Sequence, residues 1–411
     1  MSHLSQIHQT KPGATTVPSM SKSLRWRGPV AVITAATVLS SCAKNAPQDT
    51  FQPKGDNAQL IDDLQRPVFY IAGVVMIIVM AAVGYAMFKF RDQGQEMPEQ
   101  THGKPALEIT LTILPALILL GVGTFTVSTI FKLAKTDDTQ CVINVTGQQW
   151  WWEYDYPTGD CGGVAIPEPI ITSGQLVMPT GVNVLLTVTS RDVIHSYWIP
   201  ALNGKKDAVP GRVHTLRMQA DEPGIYSGQC TEFCGLSHSR MRMEAVALNQ
   251  TDFATWVQNQ VQPYTAPTEE LALAGEKEFT SQCARCHQVN GLKDAEGNLV
   301  LSNPDLAMVS GAAPNLTNLM SRNTFAGATW DLLTDECRKR VWDASPEEFG
   351  AAYLAGVSKD CLNEDELREW LRNAPAKKAM AADAPPYRGM PNLNLTDDQI
   401  DTLIAYLLER K

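Results

Sequence analysis

The chain has 411 residues, with 34 Lys and Arg against 44 Asp and Glu, a net charge of −10. Hydrophobic residues make up 44% and charged residues 19%, which excludes a wholly disordered or collagen-like chain, and the acidic balance argues against a nucleic-acid partner. Length predicts two or three domains. From residue 264 to the end, 15 basic residues face 23 acidic ones, so −8 of the −10 sits in the C-terminal third and marks it as a separate unit.

The first element is an export signal. Lys22, Arg25 and Arg27 precede an apolar stretch at 29–39 that is too short to span a bilayer. Small residues then lead into Cys42, a pattern that resembles a bacterial lipoprotein signal with Cys42 as the lipidated residue. The other reading is an ordinary signal peptide with a chance cysteine. In either case residues 1–41 are read as signal and 42–66 as an exported segment. Two longer apolar runs follow, at 68–88 and 109–131, neither containing a charge. At about 1.5 Å per residue each can cross a hydrocarbon core of about 30 Å, so 67–135 reads as a transmembrane hairpin. Pro115 inside the second run is tolerated in a membrane helix.

Beyond residue 136 the long runs stop. Short alternating stretches at 142–146 and 182–188, separated by Gly-containing turns, predict an all-β sandwich or barrel over 136–261. Within twelve residues this region carries Cys230, Cys234, His238 and Met241, with His195 upstream. Thiolate, imidazole and thioether together form a soft ligand set that suits copper better than zinc. Two cysteines can bridge two copper ions and so spread one electron over both. A Cys230–Cys234 disulfide beside an ordinary His and Met is the structural alternative.

The Cys230-x-Glu-x-Cys234-x-x-x-His238-x-x-Met241 run, with His195, the segment 206–212 and the preceding hairpin, resembles subunit II of the heme–copper cytochrome c oxidases. The resemblance implies a cupredoxin-like all-β domain holding a dinuclear CuA centre. Its ligands would be His195, Cys230, Cys234, His238 and Met241 plus the Glu232 carbonyl. The Glu232 side chain would reach a magnesium ion shared with subunit I. Trp150, in the aromatic run 150–152, would be the electron entry point; the family usually has a histidine where this chain has Gln148. His214 matches no ligand and reads as a strand histidine. Glu108 has two readings: a residue near the mouth of a proton-uptake path, or an acid favoured by the dipole at a helix N-terminus.

Residues 262–268 read as a linker, and 269–411 as an all-α domain. Cys283-Ala-Arg-Cys286-His287 is a c-type heme attachment motif, with His287 reaching iron. Near the C-terminus, Thr396 and Gln399 form a capping pair. Ile400, Leu403, Ile404, Leu407 and Leu408 then make an apolar helical stripe. By resemblance to the cytochromes c, this helix packs on the one before the heme motif, Gly275 and Phe279 meeting Tyr406. Pro314–Thr317 would be the proline loop beside His287. Met390, between Gly389 and Pro391, is the expected sixth ligand of the iron, with Met380 second. Met308 and Met320 flank the proline loop, on the wrong side of the heme. Residues 329–372 read as a partly helical insertion without assigned function. Four of the nine cysteines remain, two per exported domain, which suggests disulfides Cys141–Cys161 and Cys337–Cys361; four buried free thiols are the alternative.

The leading reading is therefore the electron-entry subunit of a caa-type cytochrome c oxidase in a bacterial cell membrane, its soluble domains on the outer side. Electrons would pass from a cytochrome c or a cytochrome bc complex to heme c, then to CuA, then to subunit I, where oxygen is reduced and protons are pumped. Subunits I and III are the expected partners. The alternatives are the CuA subunit of a nitric oxide reductase and a membrane-anchored copper chaperone.

Overall fold

A computed structural model describes residues 47–92, 94, 102–294, 297–300, 313–382 and 388–411. Cys42, the export signal and Met308 lie outside the described residues. Two long helices come first, α1 (Asp56–Lys89) and α2 (Pro105–Leu133). Both are long and apolar enough to cross a membrane, and their apolar side chains face outward rather than into a core. α1 begins 11 residues before the hairpin boundary expected at residue 67. The reason lies in its polar first turns, which rest on the β-domain. Arg217 is buried there, paired with Asp56 at 2.7 Å and Asp138 at 2.8 Å, and donating to Asn57 Oδ1 at 2.6 Å.

The β-domain has twelve strands: β1 (Cys141–Gln148), β2 (Trp151–Tyr156), β3 (Gly159–Cys161), β4 (Val164–Ile166), β5 (Ile170–Ser173), β6 (Gln175–Pro179), β7 (Val184–Ser190), β8 (His195–Tyr197), β9 (Lys206–Ala208), β10 (His214–Met218), β11 (Gly224–Gln229) and β12 (Arg242–Leu248). One sheet runs β10-β7-β1-β2-β5 and a second β11-β12-β6. β1 pairs with β7, and β6 with β12, in parallel; the remaining neighbours in these two sheets are antiparallel. Alternation puts Ile143 and Val145 of β1 and Val184, Leu186 and Val188 of β7 into the core, as a half-buried strand requires. Trp152, Tyr154 and Tyr156 of β2 fill the middle. A disulfide joins Cys141 to Cys161. Helix α3 (Gln250–Gln260), N-capped by Asn249, adds Phe253 and Trp256.

Residues 262–268 are tied down: Tyr264 donates to Glu276, and the Arg410 guanidinium lies 4.6 Å from its ring. Helix α4 (Glu270–Glu278) then leads into the heme motif. Further on come α5 (Asp335–Trp342), α6 (Phe349–Leu354), α7 (Glu364–Arg372), α8 (Ala374–Lys377) and α9 (Asp397–Leu408). α4 and α9 cross at Gly275, where any Cβ would collide with the Thr402 carbonyl, and Phe279 packs on Tyr406 with centroids 5.2 Å apart. Thr396 and Gln399 make the full capping box of α9. The 329–372 segment is largely helical, carries the Cys337–Cys361 disulfide, and lies against the β-domain.

Candidate copper and heme sites

The copper candidates come from two loops. His195 opens β8; Cys230 to Met241 connects β11 to β12, its ends joined by the Cys230 N–H to Met241 carbonyl bond of 2.9 Å. One ring nitrogen of His195 and the sulphurs of Cys230 and Cys234 lie within 4.8 Å of one another. Cys234 Sγ is 3.9 Å from Cys230 Sγ, 3.6 Å from His238 Nδ1 and 3.7 Å from the Met241 sulphur. The Glu232 carbonyl is 3.3 Å from Cys230 Sγ. Gly147 makes room for the His195 ring, since a Cβ there would stand 2.9 Å from its Cδ2.

The His195 ring is fully buried and its Nε2 bonds Asp192 Oδ1 at 2.8 Å. Its Nδ1 is buried and has no hydrogen-bond partner among the described residues. An orphaned imidazole nitrogen beside two thiols and a thioether fits a soft metal ion, and the carboxylate behind the ring fixes its tautomer. Asp192 also accepts from the backbone N–H of Gln149 at 2.8 Å and of Val193 at 2.7 Å. Burial raises its pKa, and these bonds more than reverse that, so it is held ionised. The hydrogen bond with Cys234 lowers the Cys230 pKa against the opposing effect of burial.

Trp150 lies behind this cluster. It is 4% exposed, and its Nε1 donates to the Cys234 carbonyl at 3.0 Å, joined there by Gln149 Nε2 at 2.7 Å. The same two residues, with Asp192, line one wall of a cavity of about 320 Å³. Cys283, Cys286 and His287 line the same cavity. His287 Nδ1 donates to the Pro314 carbonyl at 2.8 Å, which fixes the tautomer with the proton on Nδ1. Burial lowers the His287 pKa, so the ring is neutral as an iron ligand must be. Cys283 and Cys286 are free thiols. Arg322 is 5% exposed and lines the cavity, and its Nε has no partner among the described residues. These groups fit a covalent heme: two thiols, a neutral imidazole, and a buried cation that a propionate carboxylate would satisfy.

Met390 and Met380 both line the cavity, and the Met390 N–H donates to the Met380 sulphur at 3.0 Å. The stretch before Met380 is firmly held. Lys377 pairs with Glu366 at 2.6 Å and Glu369 at 2.5 Å, and Lys378 is buried. Met320 is fully buried, its backbone tied to Arg410 and Val357. His214 Nδ1 bonds the Asp207 carbonyl at 2.7 Å, away from the sulphur cluster. Gln148 is buried and lines the cavity wall. Glu108 is exposed in the first turn of α2, and the Glu232 side chain is exposed. Sequence reasoning missed Asp192, Arg322 and Lys378. Asp192 had one signal, its place three residues before His195; the other two are cations whose burial depends on contacts between domains.

Comparison with known proteins finds three family matches along the chain. Residues 48–128 match the transmembrane domain, and 141–248 the periplasmic domain, of cytochrome c oxidase subunit II; residues 272–338 match cytochrome c. The chain is 32% identical to cytochrome c oxidase subunit 2 of Alkalihalophilus pseudofirmus over 337 residues, covering 80% of this chain and 90% of that one. It is 30% identical to cytochrome c oxidase subunit 2 of Bacillus sp. PS3, covering 92% of this chain and 95% of that one. Among solved structures it is similar to the periplasmic domain of subunit II of cytochrome oxidase of Bradyrhizobium japonicum, at 29% identity and a TM-score of 0.27, over 31% of this chain and 96% of that chain.

Proposed function

Since the chain belongs to the cytochrome c oxidase subunit II family and is a subunit of a terminal oxidase, we propose that it takes electrons at a heme c and delivers them through a dinuclear copper centre to subunit I. The observation that carries this reading is the shared wall: Trp150 lines the heme cavity and also donates to the Cys234 carbonyl. Bound heme and copper supply two one-electron carriers. The protein's part is to hold them near each other and away from water.

His195, Cys230, Cys234, His238 and Met241, with the Glu232 carbonyl, hold copper. Asp192 orients His195 through Nε2 so that Nδ1 faces the metal. Cys283 and Cys286 attach heme, His287 ligates iron with Pro314 fixing its ring, and Met390 is the sixth ligand. Arg322 provides the charge for a propionate. The exposed Glu232 carboxylate takes a magnesium ion with subunit I, and Glu108 lies at the mouth of a proton path. The two helices anchor the chain with both soluble domains on the outer face of a bacterial membrane, beside subunits I and III, where a cytochrome c or cytochrome bc complex donates. Cys42 is lipidated.

Purification with associated subunits, followed by metal and heme analysis, tests this assignment. The expected result is two coppers and one covalent heme per chain, with oxygen uptake supported by reduced cytochrome c. A chain carrying both cofactors in a complex that takes up no oxygen refutes it.

A further inference from the structure

Residues 322–380 do more than complete the heme pocket, because they run across the copper domain and are bonded to it along their length. At one end the Asn323 N–H and the Tyr353 hydroxyl both donate to Gln175 Oε1, at 3.0 and 3.1 Å. Gln175 is 1% exposed, and its Nε2 donates to Glu244 at 2.7 Å, so both ends of its amide are used. In the middle, the Arg242 N–H donates to the Gly327 carbonyl at 3.1 Å and Thr329 Oγ1 to the Arg240 carbonyl at 2.6 Å. At the far end Ser237 Oγ donates to the Ala379 carbonyl at 2.6 Å.

Lys378 is the centre of this contact. It is 3% exposed, and no carboxylate among the described residues forms an ion pair with it. Its Nζ donates instead to the carbonyl of Trp150 at 2.8 Å and of Ala326 at 2.7 Å. A buried amine and a buried amide oxygen that each take partners from the other domain are costly to separate, because parting the domains leaves Lys378 without the Trp150 carbonyl and Gln175 Oε1 without both of its donors. That is the signature of a permanent contact and not of a tethered domain that docks and leaves.

We infer that residues 322–380 are a docking clamp that fixes the heme domain on the Trp150 face of the copper domain, with Lys378 as the positioning residue that holds the Trp150 backbone. This rests on the electron path proposed above. Lys378 lines the heme cavity but belongs to neither proposed ligand set, and it acts through Trp150, whose indole reaches the Cys234 carbonyl.

The test uses the full chain in its oxidase complex, with Lys378→Met and Gly327→Ala. Gly327 has φ +72°, and a Cβ there would stand 2.6 Å from the Trp150 carbonyl, so the alanine wedges the clamp open without removing a buried polar group. Heme c is photoreduced and copper reduction is followed, while amide hydrogen exchange is read at Arg242 and Asn323 in the metal-free chain. Both variants are expected to slow heme-to-copper transfer by about tenfold or more, as misplaced redox partners do. Exchange at the two amides should accelerate, with the copper EPR signal and copper-to-subunit I transfer unchanged. Fast wild-type transfer that both variants retain overturns the clamp and leaves the electron path standing. Absence of heme-to-copper transfer in the wild type overturns the path itself, and the clamp with it. Should Lys378→Met fail to assemble, Gly327→Ala decides alone.

Discussion

Asp192→Ala is the most informative single change behind the proposed copper ligands. In the wild type, Asp192 accepts from His195 Nε2 in a site where the ring has no access to solvent. Alanine leaves that N–H buried and unpaired, which costs roughly 1–3 kcal/mol of copper-domain stability. The Gln149 N–H loses its acceptor as well, so the backbone leading into Trp150 loosens. The second effect is on metal. Without the carboxylate, the imidazole is no longer held with Nδ1 toward the sulphurs. Loss of such an outer partner typically lowers metal affinity by about 10- to 100-fold, or roughly 1.4–2.7 kcal/mol. Asp192→Asn keeps an acceptor oxygen in the same place and should retain most of both. Thermal melting of the metal-free chain reads the first effect, and copper titration against a competing chelator the second. An Asp192→Ala chain that melts and binds copper like the wild type would refute the assigned role.

Cys230→Ser or Cys234→Ser should each abolish the mixed-valence copper EPR signal while heme stays attached; a variant keeping one electron shared by two coppers contradicts the ligand set. Met390→Ala should weaken the methionine–iron charge-transfer band and move the heme toward high spin. If the band survives there and disappears in Met380→Ala, the ligand is the other methionine of the cavity. Glu244 gives a pH prediction. Burial pushes its carboxyl from 4.5 up to about 7, against the Gln175 hydrogen bond; Asp331 adds to the rise, while Arg338 and Arg242 oppose it. An acid raised on folding stabilises below its unfolded pKa, and that contribution is lost as pH rises through the folded pKa. Glu244→Gln should therefore melt higher than the wild type near pH 8, by at most about 3 kcal/mol, and equally near pH 4. Equal melting at both values would refute the burial argument.

The parts of this molecule that one segment dictates were legible in its sequence. The Cys230–Met241 spacing places four ligand candidates on one loop, so no tertiary information is needed to group them. The α9 stripe and its Thr396–Gln399 cap are likewise local, whereas Gly275 was readable only through the resemblance to the cytochromes c. What was not legible depends on contacts between domains. Lys378 looks like one of two surface lysines, and only the Trp150 and Ala326 carbonyls make it a buried donor. Residues 329–372 show ordinary helical patterning, and Gln175, the partner of their Tyr353, lies 178 residues upstream in a β-strand. The early start of α1 has the same origin, since nothing in a hydropathy pattern reports Arg217 waiting at its first turn.

On the proposed path, electrons enter at the heme domain and reach copper through the face that carries Trp150. The most direct measurement is time-resolved reduction in the intact oxidase complex after a single electron is placed on heme c. Heme c is expected to reoxidise in step with copper reduction, and Trp150→Leu to slow this step while leaving the heme c spectrum unchanged. Copper that is reduced before heme c by an external donor, or a Trp150→Leu complex with wild-type kinetics, would contradict it.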